Sequence, residues 1–95
     1  MKFAIIGRDG PDGATKRPLH RPAHLNRLEA LAREGRLILA GPFTDQSGSL
    51  VVIEAASLAE AEAFAQEDPY TIHGVFQQTE VHPFKQVLPD DSPNQ

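Results

Sequence analysis

Four short β-favouring runs interleaved with two helix-like stretches, all within 95 residues, constrain the fold of this chain more than any single motif does. The first run, residues 2–7, ends at Gly7 and passes into Arg8-Asp9-Gly10-Pro11-Asp12-Gly13, a turn-rich stretch that reads as a mobile loop. Pro22 suits a first helical turn, and His24, Leu28, Leu31 and Gly35 then fall on one face with Leu25 and Ala32 beside them. This spacing predicts a helix over 22–34 closed by Gly35. Runs at 37–42 and 49–54, joined by the loop 43–48, read as antiparallel neighbours. Ser57 followed by Glu60 has capping-box spacing, and Leu58, Ala61, Phe64 and Ala65 continue a second helix that Pro69 stops near Asp68. Residues 75–84 form the last strand, with Pro83 marking its end or an edge position.

The order βαββαβ implies an α+β chain built as two split βαβ units, the ferredoxin-like arrangement, with both helices on one face of an antiparallel sheet. One domain over 1–87 accounts for all elements, and the polar, proline-containing tail 88–95 is expected to be disordered. In the first three strands Phe3 and Ile5 point one way and Ala4 and Ile6 the other, and 37–40 and 50–53 are likewise apolar on both sides. Two helices cover one face only, so the second is expected to be buried against another copy of the chain. The alternative is that short strands simply carry an excess of β-branched residues.

Composition then removes whole classes of function. Without cysteine there are no disulfides, thiolate nucleophiles or sulfur-ligated metals. Thirteen acids against nine Lys and Arg, a net charge of −4, disfavour a surface that tracks phosphates, so no nucleic-acid partner is expected. No run approaches the ~20 apolar residues of a membrane span, and a cytoplasmic location is expected.

What remains is histidine, carboxylate and hydroxyl chemistry. His24 shares the inward face of Leu28 and Leu31, and on periodicity alone a core-edge histidine bonded to a carbonyl is the commoner reading. Asp68 follows Phe64 by one helical turn and also points inward, although at a helix C-terminus it faces the negative dipole end and requires a compensating donor, for which His24 is the natural choice. A solvated Asp-Pro turn is the alternative. Ser49 and Tyr70 are candidates for hydrogen bonding to a substrate, or a strand-end serine and an aromatic anchor of the turn. Arg17 and Arg21 precede the His24 helix and suit an acidic or phenolate group; either is equally read as a solvated surface arginine, and for Arg17 that reading is slightly favoured. His20 and His24 lie four apart, but Pro22 places His20 before the helix, and neither a metal nor a cofactor is expected. His82 takes no assignment.

Lys16-Arg17, Arg21-Pro22-Ala23-His24-Leu25, Gly35-Arg36-Leu37, Ala40-Gly41-Pro42, Asp68-Pro69-Tyr70, Gly74-Val75 and Pro83-Phe84-Lys85, in this order and spacing, resemble the YciI-like family over nearly the whole chain outside the tail. The resemblance implies a ferredoxin-like fold that pairs sheet to sheet as a dimeric α/β barrel. It also implies a site built on a His and an Asp, which map onto His24 and Asp68 and reverse the weighting for His24. A dechlorinating enzyme acting on a hydroxylated aromatic ring belongs to the wider family. The stretch from Asp9 to Thr15 is short here and the 43–48 connection lacks a long insertion of some relatives, so the pocket mouth is this chain's own. The expected function is a small dimeric enzyme using His24 and Asp68 for isomerisation, elimination or hydrolysis of a small organic, aromatic-like substrate. The competing expectation is a non-catalytic metabolite-binding or assembly module.

Overall fold

A computed structural model of the chain describes residues 1–90. In chain order the elements are β1 (Lys2–Asp9), α1 (Gly13–Arg33), β2 (Leu37–Pro42), β3 (Gly48–Glu54), α2 (Leu58–Gln66), α3 (Pro69–Ile72) and β4 (Phe76–Phe84). The strands form one antiparallel sheet in the order β2-β3-β1-β4, the ferredoxin-like order, with β1 and β3 at its centre.

Alternation along the central pair sets the layers. Phe3 pairs with Ile53, Ile5 with Val51 and Gly7 with Ser49, and this row faces the helices. Its apolar members share one buried cluster with Leu28 and Leu31 of α1 and with Ala61 and Ala65 of α2. The row shrinks from Phe3 to Gly7, so the sheet is thick with apolar side chains at one end and nearly bare at the other. Gly7 has a packing reason to be glycine, because a Cβ there would lie 2.4 Å from the Phe76 ring. Tyr70, Val75 and Phe76 form a second, smaller buried cluster.

The other sheet face is apolar at its centre, where Val52 is buried beside Ala4, Ile6 and Leu50, and the half-exposed Leu39 pairs with Val52. It is not apolar throughout: β4 sets Gln78, Glu80 and His82 against Arg8, Ile6 and Ala4. The two apolar faces expected of the first three strands are seen in β1 and β3, while β2 lies mostly exposed at the sheet edge and β4, to which that expectation does not extend, alternates as a half-solvated edge strand does.

Three boundaries also differ. β1 does not stop at Gly7 but continues to Asp9, because Asp9 N–H donates to the Ser47 carbonyl at 3.0 Å and Gly10 N–H to Val75 at 3.0 Å, so the stretch read as a loop is tied into the sheet. α1 begins at Gly13 rather than at Pro22 and runs through both Pro18 and Pro22. Each proline removes an N–H, yet both are exposed, so the orphaned carbonyls can turn to water while the opposite face stays packed. At its far end α1 closes as expected: Gly35 has φ +74°, and Arg36 N–H donates to the Leu31 carbonyl at 3.0 Å.

The third difference concerns Asp68. α2 starts at the Ser57 cap, whose Oγ accepts from Glu60 N–H at 3.1 Å, but ends at Gln66. Asp68 is therefore not its last inward residue; it is the N-cap of α3, with Oδ1 accepting from Tyr70 N–H at 2.8 Å. The dipole argument made from the sequence changes sign, since a carboxylate at a helix start is favoured. Residues 85–90 carry no regular structure, and 91–95 of the expected tail lie outside the described residues. Among the described residues no helix is long and apolar enough to cross a membrane.

Candidate functional site

Arg17, Arg21, His24, Leu28 and Leu31 fall at helical intervals of about three and four along α1, so they form one stripe on its sheet side. Its C-terminal part enters the apolar core. The N-terminal part overlies the end of the sheet where Gly7 and Ser49 leave room for larger polar groups.

His24 and Asp68 meet there, both buried, at 6% and 7% exposure. The imidazole Nδ1 lies 2.8 Å from Asp68 Oδ1 and 2.9 Å from Oδ2. With Oδ1 also capping α3, the carboxylate is held by two elements at once. Nδ1–H donates to the carboxylate in the neutral tautomer that this contact selects, which leaves the Nε2 lone pair free. Among the described residues no buried side-chain nitrogen or oxygen lacks a partner, and Nε2 has no protein partner, so it reaches solvent.

Tyr70 lies flat on His24, with ring centroids 3.9 Å apart and planes 9° from parallel, and meets Phe76 edge-on at 5.4 Å. The Arg17 guanidinium sits 5.0 Å from the Tyr70 centroid. Burial pushes the Tyr70 phenol above its ordinary value; the Arg17 and Arg21 charges pull it back and the Asp68 carboxylate adds to the rise.

Arg17 is not the solvated surface residue that its place in the sequence suggests. Its Nε donates to Asp9 Oδ2 at 2.7 Å and its Nη2 to Asp9 Oδ1 at 2.8 Å, a two-bond fork, and Nη2 also donates to Ser49 Oγ at 2.9 Å. Those Asp9 bonds hold the guanidinium even more firmly protonated than usual, against the opposing effect of burial. Asp9 was missed in the sequence because its turn-rich neighbours concealed a strand end. Gly13 approaches it closely, since a Cβ there would fall 2.6 Å from the carboxylate.

The structure thus brings His24, Asp68, Tyr70, Arg17 and Ser49 into one connected group, and leaves Arg21 exposed beside it. His20 lies inside α1, not before it, and its ring stacks on that of His73 at 4.0 Å and 2°. Among the described residues no cluster of three or more His, Asp or Glu side chains suits a metal ion.

Space for a ligand lies outside the layers rather than between them. Beside Ser49 and Asp68 the interior leaves 10 Å³, room for one water at most. In contrast, a cleft of 560 Å³ opens between the N-terminal half of α1 and the β2–β3 connection, with Asp9, Arg17 and Arg21 on one side and Pro42, Phe43 and Gly48 on the other. Arg17 belongs to both the cleft and the Tyr70 stack, and so joins the space to the buried pair.

Known proteins are similar to this chain over nearly its whole length. The profile of the YCII-related domain matches residues 1–85. Protein YciI of Escherichia coli O6:H1 is 41% identical over 98 aligned positions, covering 93% of this chain and all of the relative. An uncharacterized protein of Haemophilus influenzae is 36% identical with the same coverage. Among solved structures, 5-chloro-2-hydroxyhydroquinone dehydrochlorinase (TftG) of Burkholderia phenoliruptrix AC1100, in complex with 2,5-dihydroxybenzoquinone, superposes with a TM-score of 0.79 at 33% identity, covering 90% of this chain and 94% of that one.

Proposed function

The chain belongs to the YCII-related domain family, and from that premise we propose that it is a small homodimeric enzyme using His24 and Asp68 as an acid–base pair on a small hydroxylated ring compound. The observation that carries this reading is the pair itself: Nδ1 is committed to a buried carboxylate while Nε2 has no protein partner. In an elimination, Nε2 takes the proton the substrate loses while the leaving group departs with its bonding electrons. Asp68 stabilises the imidazolium so formed, and the proton then passes to solvent. The dechlorinating activity named for TftG supports elimination over isomerisation or hydrolysis. Ser49 acts here by fixing Arg17, and Tyr70 by fixing the plane of the imidazole, rather than as independent substrate ligands.

Chloride release from 5-chloro-2-hydroxyhydroquinone tests the chemistry. Turnover by the wild type should fall by about 10²–10⁴-fold in His24→Ala. Binding without turnover in the wild type would leave a metabolite-binding module in its place, and equal turnover in the variant would remove His24 as the base.

The dimer reading rests on the open sheet face, where Ala4, Ile6, Leu39, Leu50 and Val52 form an apolar centre. Light scattering at micromolar concentration should give twice the chain mass; a stable monomer contradicts it.

A further inference from the structure

Two arginines border the cleft, and they are not equivalent. Arg17 has its charge matched by the Asp9 fork, and its Nη2 is shared with Ser49. Arg21, one helical turn further along α1, makes no hydrogen bond or ion pair with any described residue and stands exposed at the cleft wall. The Asp9–Arg17 pair contributes no net charge, so the cleft carries a single uncompensated positive charge, that of Arg21. Around it lie apolar groups, Ala14 and Pro18 on α1 and Pro42 and Phe43 opposite, with the uncharged polar Thr44 and Gln46 at the loop side.

We infer that Arg21 is the anion receptor of this site, and that the cleft selects planar ring compounds bearing one negative charge, a phenolate or an aromatic carboxylate, over their neutral counterparts. Free guanidinium donors match an oxyanion in two-bond geometry, and flat apolar walls accept the ring. Arg21 precedes His24 by three residues on the same stripe of α1, so an anionic group held by Arg21 brings the ring to which it is attached toward the helical turn that carries the imidazole. Arg17 cannot serve in the same way without giving up Asp9, which would be left as a buried charge without its partner. The inference rests on the ring-substrate reading above, but it concerns binding and does not require that His24 act as a base.

Calorimetric titration of the full chain with salicylate and salicylamide tests it, because the two probes share ring and shape and differ in charge at neutral pH. The wild type should prefer salicylate by about tenfold or more, the gain expected of one charge-assisted hydrogen bond. Arg21→Gln should reduce that ratio to about one with salicylamide affinity unchanged, and Arg21→Lys should restore part of it. Because Arg21 is exposed and unpaired, neither variant threatens the fold, and thermal denaturation verifies this. His24→Ala should keep the preference whether or not it loses turnover, which separates this inference from the acid–base reading. A wild type that binds neither probe, or binds both equally, overturns the assignment, as does a preference that survives Arg21→Gln.

Discussion

Along the stripe of α1 that faces the sheet, Leu28 and Leu31 share a core with Phe3, Ile53 and Ala61, whereas Arg17 and His24 meet Asp9, Ser49 and Asp68. The same helix face therefore runs from oil to ion pairs within a few turns, and the β1–β3 row beneath it changes in step, from Phe3 and Ile53 to Gly7 and Ser49. The two ends hold together by different physics. At the Leu31 end, apolar area removed from water stabilises the fold at about 25 cal/mol per Å². At the His24 end, the desolvation of buried charges largely offsets their mutual attraction, so the polar network adds little net stability while fixing side chains in one geometry. Apolar burial and the polar network are thus divided between the two ends of a single layer.

The sharpest way to break this comparison is to truncate one residue from each end of the β3 row. Ile53 is fully buried, and Ile53→Ala should cost about 2–5 kcal/mol, enough to unfold a marginal domain of this size at elevated temperature. Ser49→Ala removes one hydrogen bond to a partly exposed Arg17 and should cost only about 0.5–1.5 kcal/mol. Urea denaturation of both variants measures the difference. Equal losses would mean that the polar end is as much a part of the stabilising core as the apolar end.

The same division decides what the sequence can tell. Leu28, Leu31 and Ala61 have helical spacing, and Phe3, Ile5, Val51 and Ile53 alternate, so the apolar end and with it the strand order are legible without coordinates. The polar end leaves no such period. Pro22 reads as a first-turn residue, yet α1 begins at Gly13 and runs through Pro18 and Pro22 because its prolines face water, so the turns carrying Arg17 and His20 fall outside the helix expected from the sequence. Asp9 was concealed by a Gly- and Pro-rich context that resembles a loop but continues a strand. The contact of His24 with Asp68 was anticipated from two inward faces, although one reason was wrong: Asp68 is carried by the cap of α3 and not by the end of α2. Short helices such as α3 have too few residues to show a period, and their caps are visible only as an Asp-Pro pair with several meanings.

A gentler probe sharpens the comparison without removing any atom of the core. The chain has one tyrosine and no tryptophan, so phenolate absorbance reports Tyr70 alone. Burial raises the Tyr70 pKa, and the folded protein should therefore keep its phenol neutral through pH ~10, where a free tyrosine is half ionised. The sign for stability follows from proton binding: the folded state holds this proton more tightly than the unfolded chain, so the contribution is intact below pH ~10 and is lost as the pH rises through the folded midpoint. At neutral pH both states hold the proton, so the contribution is present in full and stability does not vary with pH on this account. Arg21 is one of the two cations that oppose the rise, so Arg21→Gln should move the midpoint further upward, while a mild core substitution such as Ile53→Val should leave it where it is provided the protein stays folded. A midpoint at or below ~10, or one that responds equally to both substitutions, would mean that Tyr70 senses the general integrity of the fold and not the charges gathered at the His24 end.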